Sequence, residues 1–185
     1  MRVISGTLRG RKLETLPGTD TRPTTDNVKE SVFNIIQFSV AGSTVLDLFA
    51  GSGQLGIECL SRGATRAVFV DKSRAATEII RKNLQHCSLK SEVFQTDARS
   101  FLQHCGKFDL IFLDPPYDSD LYDPILKNIN LFDILNEGGI IIVESRKEQV
   151  FSELFPPYIF MRDYIYGKTR ISLFTRLTEG ESVLS

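Results

Sequence analysis

One hundred and eighty-five residues suffice for one domain of ordinary size, able to bury its own core without disulfide staples. Hydrophobic residues at 42% and charged residues at 24% make a globular balance and exclude a disordered chain. Lys and Arg number 22 against 23 Asp and Glu, leaving a net charge of −1. That excludes a polybasic protein that coats nucleic acid, but not a local basic patch.

The first twelve residues carry such a patch: Arg2, Arg9, Arg11 and Lys12, with no acid among them. Residues 2–5 and 11–15 can pair as a hairpin around Gly6 and Gly10. Pro17-Gly18 then turns the chain, and Arg22-Pro23-Thr24-Thr25-Asp26 opens a helix with Val28, Val32, Ile35 and Ile36 on one face. No apolar leader segment follows the basic residues, and no run approaches the ~18 apolar residues of a membrane span. The expectation is a cytoplasmic chain without a membrane anchor. Cys59, Cys87 and Cys105 are odd in number and form no CxxC pair, which argues against a disulfide framework and a zinc site. The pairs His86-Cys87 and His104-Cys105 lack an accompanying carboxylate cluster, so no metal is expected.

From Thr44 onward, short apolar runs alternate with helical stretches. Residues 44–48 read as a strand, 51–56 as a glycine-rich turn running into a short helix to about Arg62, and 66–70 as a second strand. Ser73 caps a helix with Ala76, Ile79, Ile80, Leu84 and Cys87 at helical spacing. Residues 92–95, 108–113 and 139–144 are further strands, the last two almost wholly apolar. Unbroken apolar strands alternating with helices predict a mostly parallel sheet covered on both faces. Residues 158–166 and 169–176 then form an antiparallel hairpin around Gly167-Lys168, and 178–185 read as a tail. The fold class is α/β, Rossmann-like, with seven strands and a small N-terminal hairpin extension.

Gly51-Ser52-Gly53-Gln54-Leu55-Gly56 is a G-x-G-x-x-G between a strand and a helix, and Asp71 follows Gly51 by twenty residues. Glycines let a ligand approach bare backbone, and the acid accepts hydrogen bonds from ribose hydroxyls. The alternative is a tight strand-to-helix turn with Asp71 merely opening the next helix. The strand ends in Asp47-Leu48-Phe49-Ala50, and a carboxylate at the base of the loop suits a ligand with a cationic amino group better than one bearing phosphates. This D-x-F-A-G-x-G run resembles the first motif of class I S-adenosylmethionine-dependent methyltransferases. The resemblance implies a cofactor site through Asp47, Phe49, Ala50, Gly51, Ser52, Gly53, Asp71 and Lys72, with Asp97 and Ala98 at the adenine end and Asp114 beside the methyl group.

Asp114-Pro115-Pro116-Tyr117 follows an apolar strand, where ligands of open α/β sheets collect. An exocyclic amine of a base is a poor nucleophile, because its lone pair is delocalised into the ring. Two acceptors on its two N–H groups can turn that lone pair toward a methyl carbon. An ionised Asp114 offers one acceptor and the Pro115 carbonyl the other, its direction narrowed by two prolines. Tyr117 offers a flat face for an extruded base. The alternative is an Asp-capped proline turn. The tetrapeptide resembles the [DNS]-P-P-[YFW] motif of amino-methyltransferases.

The basic arm admits two readings from charge alone: a grip on a phosphate backbone, or charges that keep an edge strand soluble. A resemblance separates them. Arg9-Gly10-Arg11-Lys12-Leu13, Arg22-Pro23-Thr24-Thr25-Asp26 with Phe33-Asn34, the D-L-F-A-G-S-G loop, Leu60-Ser61-Arg62-Gly63-Ala64, the DPPY turn and Tyr166-Gly167 together resemble the RsmD-like 16S rRNA guanine-N2 methyltransferases, from residue 2 to about 176. Gln54 and Lys168-Thr169-Arg170 depart from the pattern. The resemblance implies an enzyme with S-adenosyl-L-methionine as cofactor, and with no sustained heptad or extra apolar segment in the sequence a monomer is expected. Its partner would be 16S rRNA within a small ribosomal subunit or assembly intermediate. It implies RNA contacts from Arg2, Arg9, Arg11, Lys12, Arg22 and Thr24, and catalysis by Asp114, Pro115 and Tyr117. The domains would be an RNA-binding hairpin over 1–22, a methyltransferase domain over 23–177 and a tail over 178–185. Rival readings are an adenine-N6 methyltransferase, a nicotinamide-dependent oxidoreductase and an rRNA-binding assembly factor.

Overall fold

The computed structural model describes residues 1–16, 26–116, 120–151, 154 and 156–177. Two short helices, α1 (Asp26–Ile35) and α2 (Gln37–Val40), lead into β1 (Thr44–Leu48). The alternation then runs α3 (Gln54–Ser61), β2 (Arg66–Asp71), α4 (Arg74–His86), β3 (Glu92–Gln95), α5 (Ala98–Leu102), β4 (Phe108–Leu113), α6 (Tyr122–Leu131) and β5 (Leu135–Arg146). A hairpin of β6 (Tyr158–Tyr166) and β7 (Thr169–Arg176) completes it.

The seven strands form one sheet in the order β3-β2-β1-β4-β5-β7-β6, parallel except where β7 pairs with β5 and β6. Alternation of side chains divides the core in two. Val45, Ala67, Phe69, Leu110, Phe112 and Ile142 face α1, α3 and α4, whereas Leu46, Leu48, Val68, Ile111 and Leu113 face α5 and α6. Both faces are covered, which is why β1 and β4 are apolar almost without interruption. Connections leave β1 toward β2 in one direction and pass to β4 and β5 in the other, so a crevice opens at the carboxyl ends of β1 and β4.

Strands β1, β3, β4, β6 and β7 match their sequence expectation, and the Ser73 hydroxyl caps α4 by accepting from the Ala76 amide at 3.3 Å. Three elements differ. Strand β5 begins at Leu135, four residues earlier than expected, because a bulge opposite Phe108–Leu110 absorbs the polar run Asn136-Glu137-Gly138. Helix α1 stops at Ile35, and a distinct turn, α2, follows it. The N-terminal hairpin is reduced to one antiparallel bridge, Arg2 with Lys12, flanked by the Val3 amide donating to Arg11 and the Gly10 amide donating to Val3. Its tip turns away to bond α3 instead. The tail over 178–185 lies outside the described residues.

Candidate active site

Strand register builds the site. Leu48 lies level with Val70 on one side and Leu113 on the other, and Leu113 lies level with Val143. Asp71, Phe49, Asp114 and Glu144, each the next residue along, therefore gather at one end of four adjacent strands, with Gln95 paired beyond Asp71. Parallel pairing of the residues just before them sets that end of the sheet.

The glycine loop rises from that end. Phe49 takes φ +70, a left-handed conformation that a bulky residue adopts only under constraint, and the Phe49 and Ala50 amides both donate to the Val70 carbonyl at 3.0 Å. Gly53 (φ +77) begins α3. A Cβ at Gly53 would press on Ile80 and Phe69 at 3.3 Å, and one at Gly56 would enter the Phe69 ring at 2.3 Å. The third glycine thus serves helix–sheet packing. Gly51 differs: a Cβ there would meet nothing within 4 Å, so its backbone borders open space.

Two carboxylates hold the loop. Asp71 accepts from the Gly51 amide at 2.9 Å and from the Ser73 amide at 2.8 Å, one oxygen each, which leaves lone pairs on both. Asp47 accepts from the Gly56 amide at 2.9 Å and is only 3% exposed, so it braces the first turn of α3 from beneath. Burial, opposed by that amide and reinforced by Asp71, raises its carboxyl from 3.8 to about 7. Across the crevice Asp114 is half-buried and Pro115 buried directly after β4. Burial, then Glu144 and then Asp47, hold the Asp114 carboxyl well above the usual carboxylate range.

Other expected positions are more peripheral. Asp97 caps α5 through the Arg99 amide at 2.9 Å, Ala98 is buried, and Lys72 is exposed beside Asp71. Tyr117, Arg22 and Thr24 lie outside the described residues. Arg2, Arg9, Arg11 and Lys12 are exposed along the arm, and among the described residues no ion pair engages Arg9, Arg11 or Lys12.

Sequence reasoning missed the residues that dock this arm. Glu58, 0% exposed, accepts from the Ile4 amide at 2.7 Å, the Ser5 amide at 2.9 Å and Arg62 Nε at 2.8 Å. Lys29, equally buried, lies 3.8 Å from Glu58 and donates to the Arg2 carbonyl at 2.7 Å. Asn83, 1% exposed, accepts from the Glu14 amide at 2.8 Å and donates to the carbonyls of Glu14 (3.0 Å) and Ser52 (2.9 Å). One carboxamide thus joins the arm to the glycine loop. An Asn in the middle of a helix, where it is a poor helix former, was the available signal.

This set of acceptors suits a ligand with hydroxyls and positive charge. Asp47, Asp71, Asp114 and Glu144 bring four carboxyl groups around a bare-backbone loop, and Gln54 Oε1 at the start of α3 is buried without a hydrogen-bond partner. A pyrophosphate would meet repulsion from the same acids. Among the described residues no group of His, Cys, Asp and Glu could hold a metal ion, and no helix is long and apolar enough to cross a membrane.

The strand order, the antiparallel final pair and the glycine loop at the crevice define a Rossmann-like methyltransferase fold. The chain belongs to the family described as Conserved hypothetical protein 95, whose model matches residues 1–175. It is 34% identical to the ribosomal RNA small subunit methyltransferase D of Escherichia coli K12, over 98% of this chain and 93% of that one. Identity to the YlbH protein of Bacillus subtilis is 41%, covering 95% and 99%. Among solved structures, the yhhF protein of Escherichia coli superposes with a TM-score of 0.85 at 33% identity, covering 97% of this chain and 99% of that chain.

Proposed function

We propose that the protein transfers a methyl group from S-adenosylmethionine to the exocyclic N2 amine of a guanine in small-subunit (16S) rRNA. Membership of a family with small-subunit rRNA methyltransferases supports the enzyme class, the cofactor and the RNA. The observation that carries the reading is the meeting of Asp71, Phe49, Asp114 and Glu144 at one end of the sheet, which sets the glycine loop and the Asp114–Pro115 turn on adjacent strands.

When bound, the cofactor supplies an electrophilic methyl on a sulfonium sulfur. Gly51–Gly53 would present backbone to it, Asp71 has lone pairs left for its ribose hydroxyls, and Asp97 and Ala98 would border its adenine. Lys72, Phe49, Ala50 and Ser52 complete the walls. Asp47, from under the loop, would favour the cationic amino acid end, whose charge would in turn favour the ionised carboxyl. Asp114 and the Pro115 carbonyl accept from the two N–H groups of the target amine and turn its lone pair toward the methyl carbon, with Tyr117 stacking on the base. Transfer leaves a protonated secondary amine, and the proton passes to Asp114 or to water. Most of the acceleration is then positioning. Arg2, Arg9, Arg11, Lys12, Arg22 and Thr24 grip the RNA backbone.

Nucleoside mass spectrometry of 16S rRNA from cells lacking the protein tests this. One N2-methylguanosine should vanish and return when purified protein and cofactor are added to small subunits. Loss of an N6-methyladenosine instead would move the reading to adenine.

A further inference from the structure

The chemistry of guanine gives a role to Glu144, which the mechanism above leaves unused; this inference rests on the guanine-N2 reading. Glu144 follows Val143 on β5 and Asp114 follows Leu113 at the end of β4, and Val143 and Leu113 are parallel partners. The two carboxyl groups line one recess, whose other walls include Val32, Leu55, Phe112 and Ile142. Glu144 is 7% exposed, so any group that reaches it has left bulk water.

We propose that Glu144 selects guanine, accepting a hydrogen bond from N1–H of the base while Asp114 accepts from its N2 amine. Guanine carries N1–H and the N2 amine as neighbouring donors on its pairing edge. An ionised carboxylate only accepts, so two of them side by side complement that edge. Adenine offers its amine beside an N1 lone pair, which would face carboxylate lone pairs. In an apolar recess the mismatch leaves buried acceptors unsatisfied, and a site built for a missing donor discriminates strongly. Two carboxyl groups packed together resist full ionisation, in keeping with the raised Asp114 carboxyl. Guanine brings two donors of its own, which favour the charged form of both groups.

The test uses small-subunit RNA in which the target guanine, located by the mass spectrometry above, is replaced by 2-aminopurine. That base keeps the amine at C2 but has a lone pair in place of N1–H. Wild-type protein should favour guanine by roughly ten- to a hundredfold in kcat/KM. Glu144→Gln both accepts and donates, so it should narrow the preference about tenfold and use 2-aminopurine faster than wild type does. A residue that only supports the fold would not exchange preference in this way. Calorimetry with S-adenosylmethionine should give both proteins the same cofactor affinity. A Glu144→Gln protein that binds cofactor normally and keeps the full guanine preference overturns the inference. Should that variant not bind cofactor, wild type alone decides: equal use of the two bases overturns it, and a preference for guanine over both 2-aminopurine and 1-methylguanine, which keeps the C6 oxygen that 2-aminopurine lacks, upholds it. A wild type that forms no N2-methylguanosine on the unsubstituted RNA defeats the functional reading itself, an outcome read from a different arm.

Discussion

Asp114 stands at the junction of strand and turn with its neighbours chosen to keep it from ionising easily. Asp114→Ala should lower single-turnover methyl transfer by about a hundredfold or more while leaving S-adenosylmethionine affinity within about twofold. Rapid-quench kinetics and calorimetry check the two halves, and near-normal transfer would remove the acceptor role. Asp47 makes a prediction about stability. Its carboxyl is raised from 3.8 to about 7, so the folded chain holds a proton that the unfolded chain releases. That contribution is whole below about pH 4 and is lost as pH rises through 7. Asp47→Asn, which keeps an acceptor for the Gly56 amide, should therefore gain melting temperature relative to wild type as pH rises from 4 to 8. A gap that does not change with pH would show that Asp47 titrates normally. Asp47, Asp71 and Asp114 were legible in the sequence because each ends an apolar strand. Glu144 closes the apolar run of β5 too, but that run was read for apolar content, and only the fold put it beside Asp114.

The N-terminal arm is held by interior chemistry. Gly6 (φ +79) lies so close to α3 that an added Cβ would sit 1.8 Å from the Ser61 carbonyl oxygen. Gly6→Ala should therefore undock the arm, reducing RNA affinity several-fold with cofactor affinity retained, as filter binding and calorimetry can measure. Glu58→Ala removes the carboxylate that faces the buried Lys29 ammonium and should cost about 3–5 kcal/mol in urea unfolding. Adding Lys29→Met should restore most of that loss, and failure to do so would mean that packing, not charge, holds the joint. Strands β1 and β4 were readable because both faces are buried and the apolar run is continuous. The start of β5 was not, since Asn136-Glu137-Gly138 reads as a loop and is carried by a bulge. The arm read as a hairpin from its glycines, yet Gly6 serves an approach to α3, a contact 53–56 residues away that local patterning cannot show.

Across the whole molecule, near-neutrality averages two unlike regions. The arm presents Arg9, Arg11 and Lys12 to solvent, while Asp47, Asp71, Asp114 and Glu144 gather at the crevice. Replacing Arg9 and Arg11 with Ala should weaken RNA binding and lower the salt slope by about 1 for each charge, with cofactor binding unchanged. An unchanged slope would assign those charges to solubility alone. Asn83 adds a consequence for the order in which the parts become ordered. Its carboxamide joins Glu14 and Ser52, and the first of these lies 69 residues before it in the chain. During synthesis the basic arm emerges before α3 and α4 and waits, without Glu58 and Asn83 to hold it, until they have been made. The newborn chain thus carries an undocked cationic segment beside ribosomal RNA until its own cofactor loop is ready to be fastened.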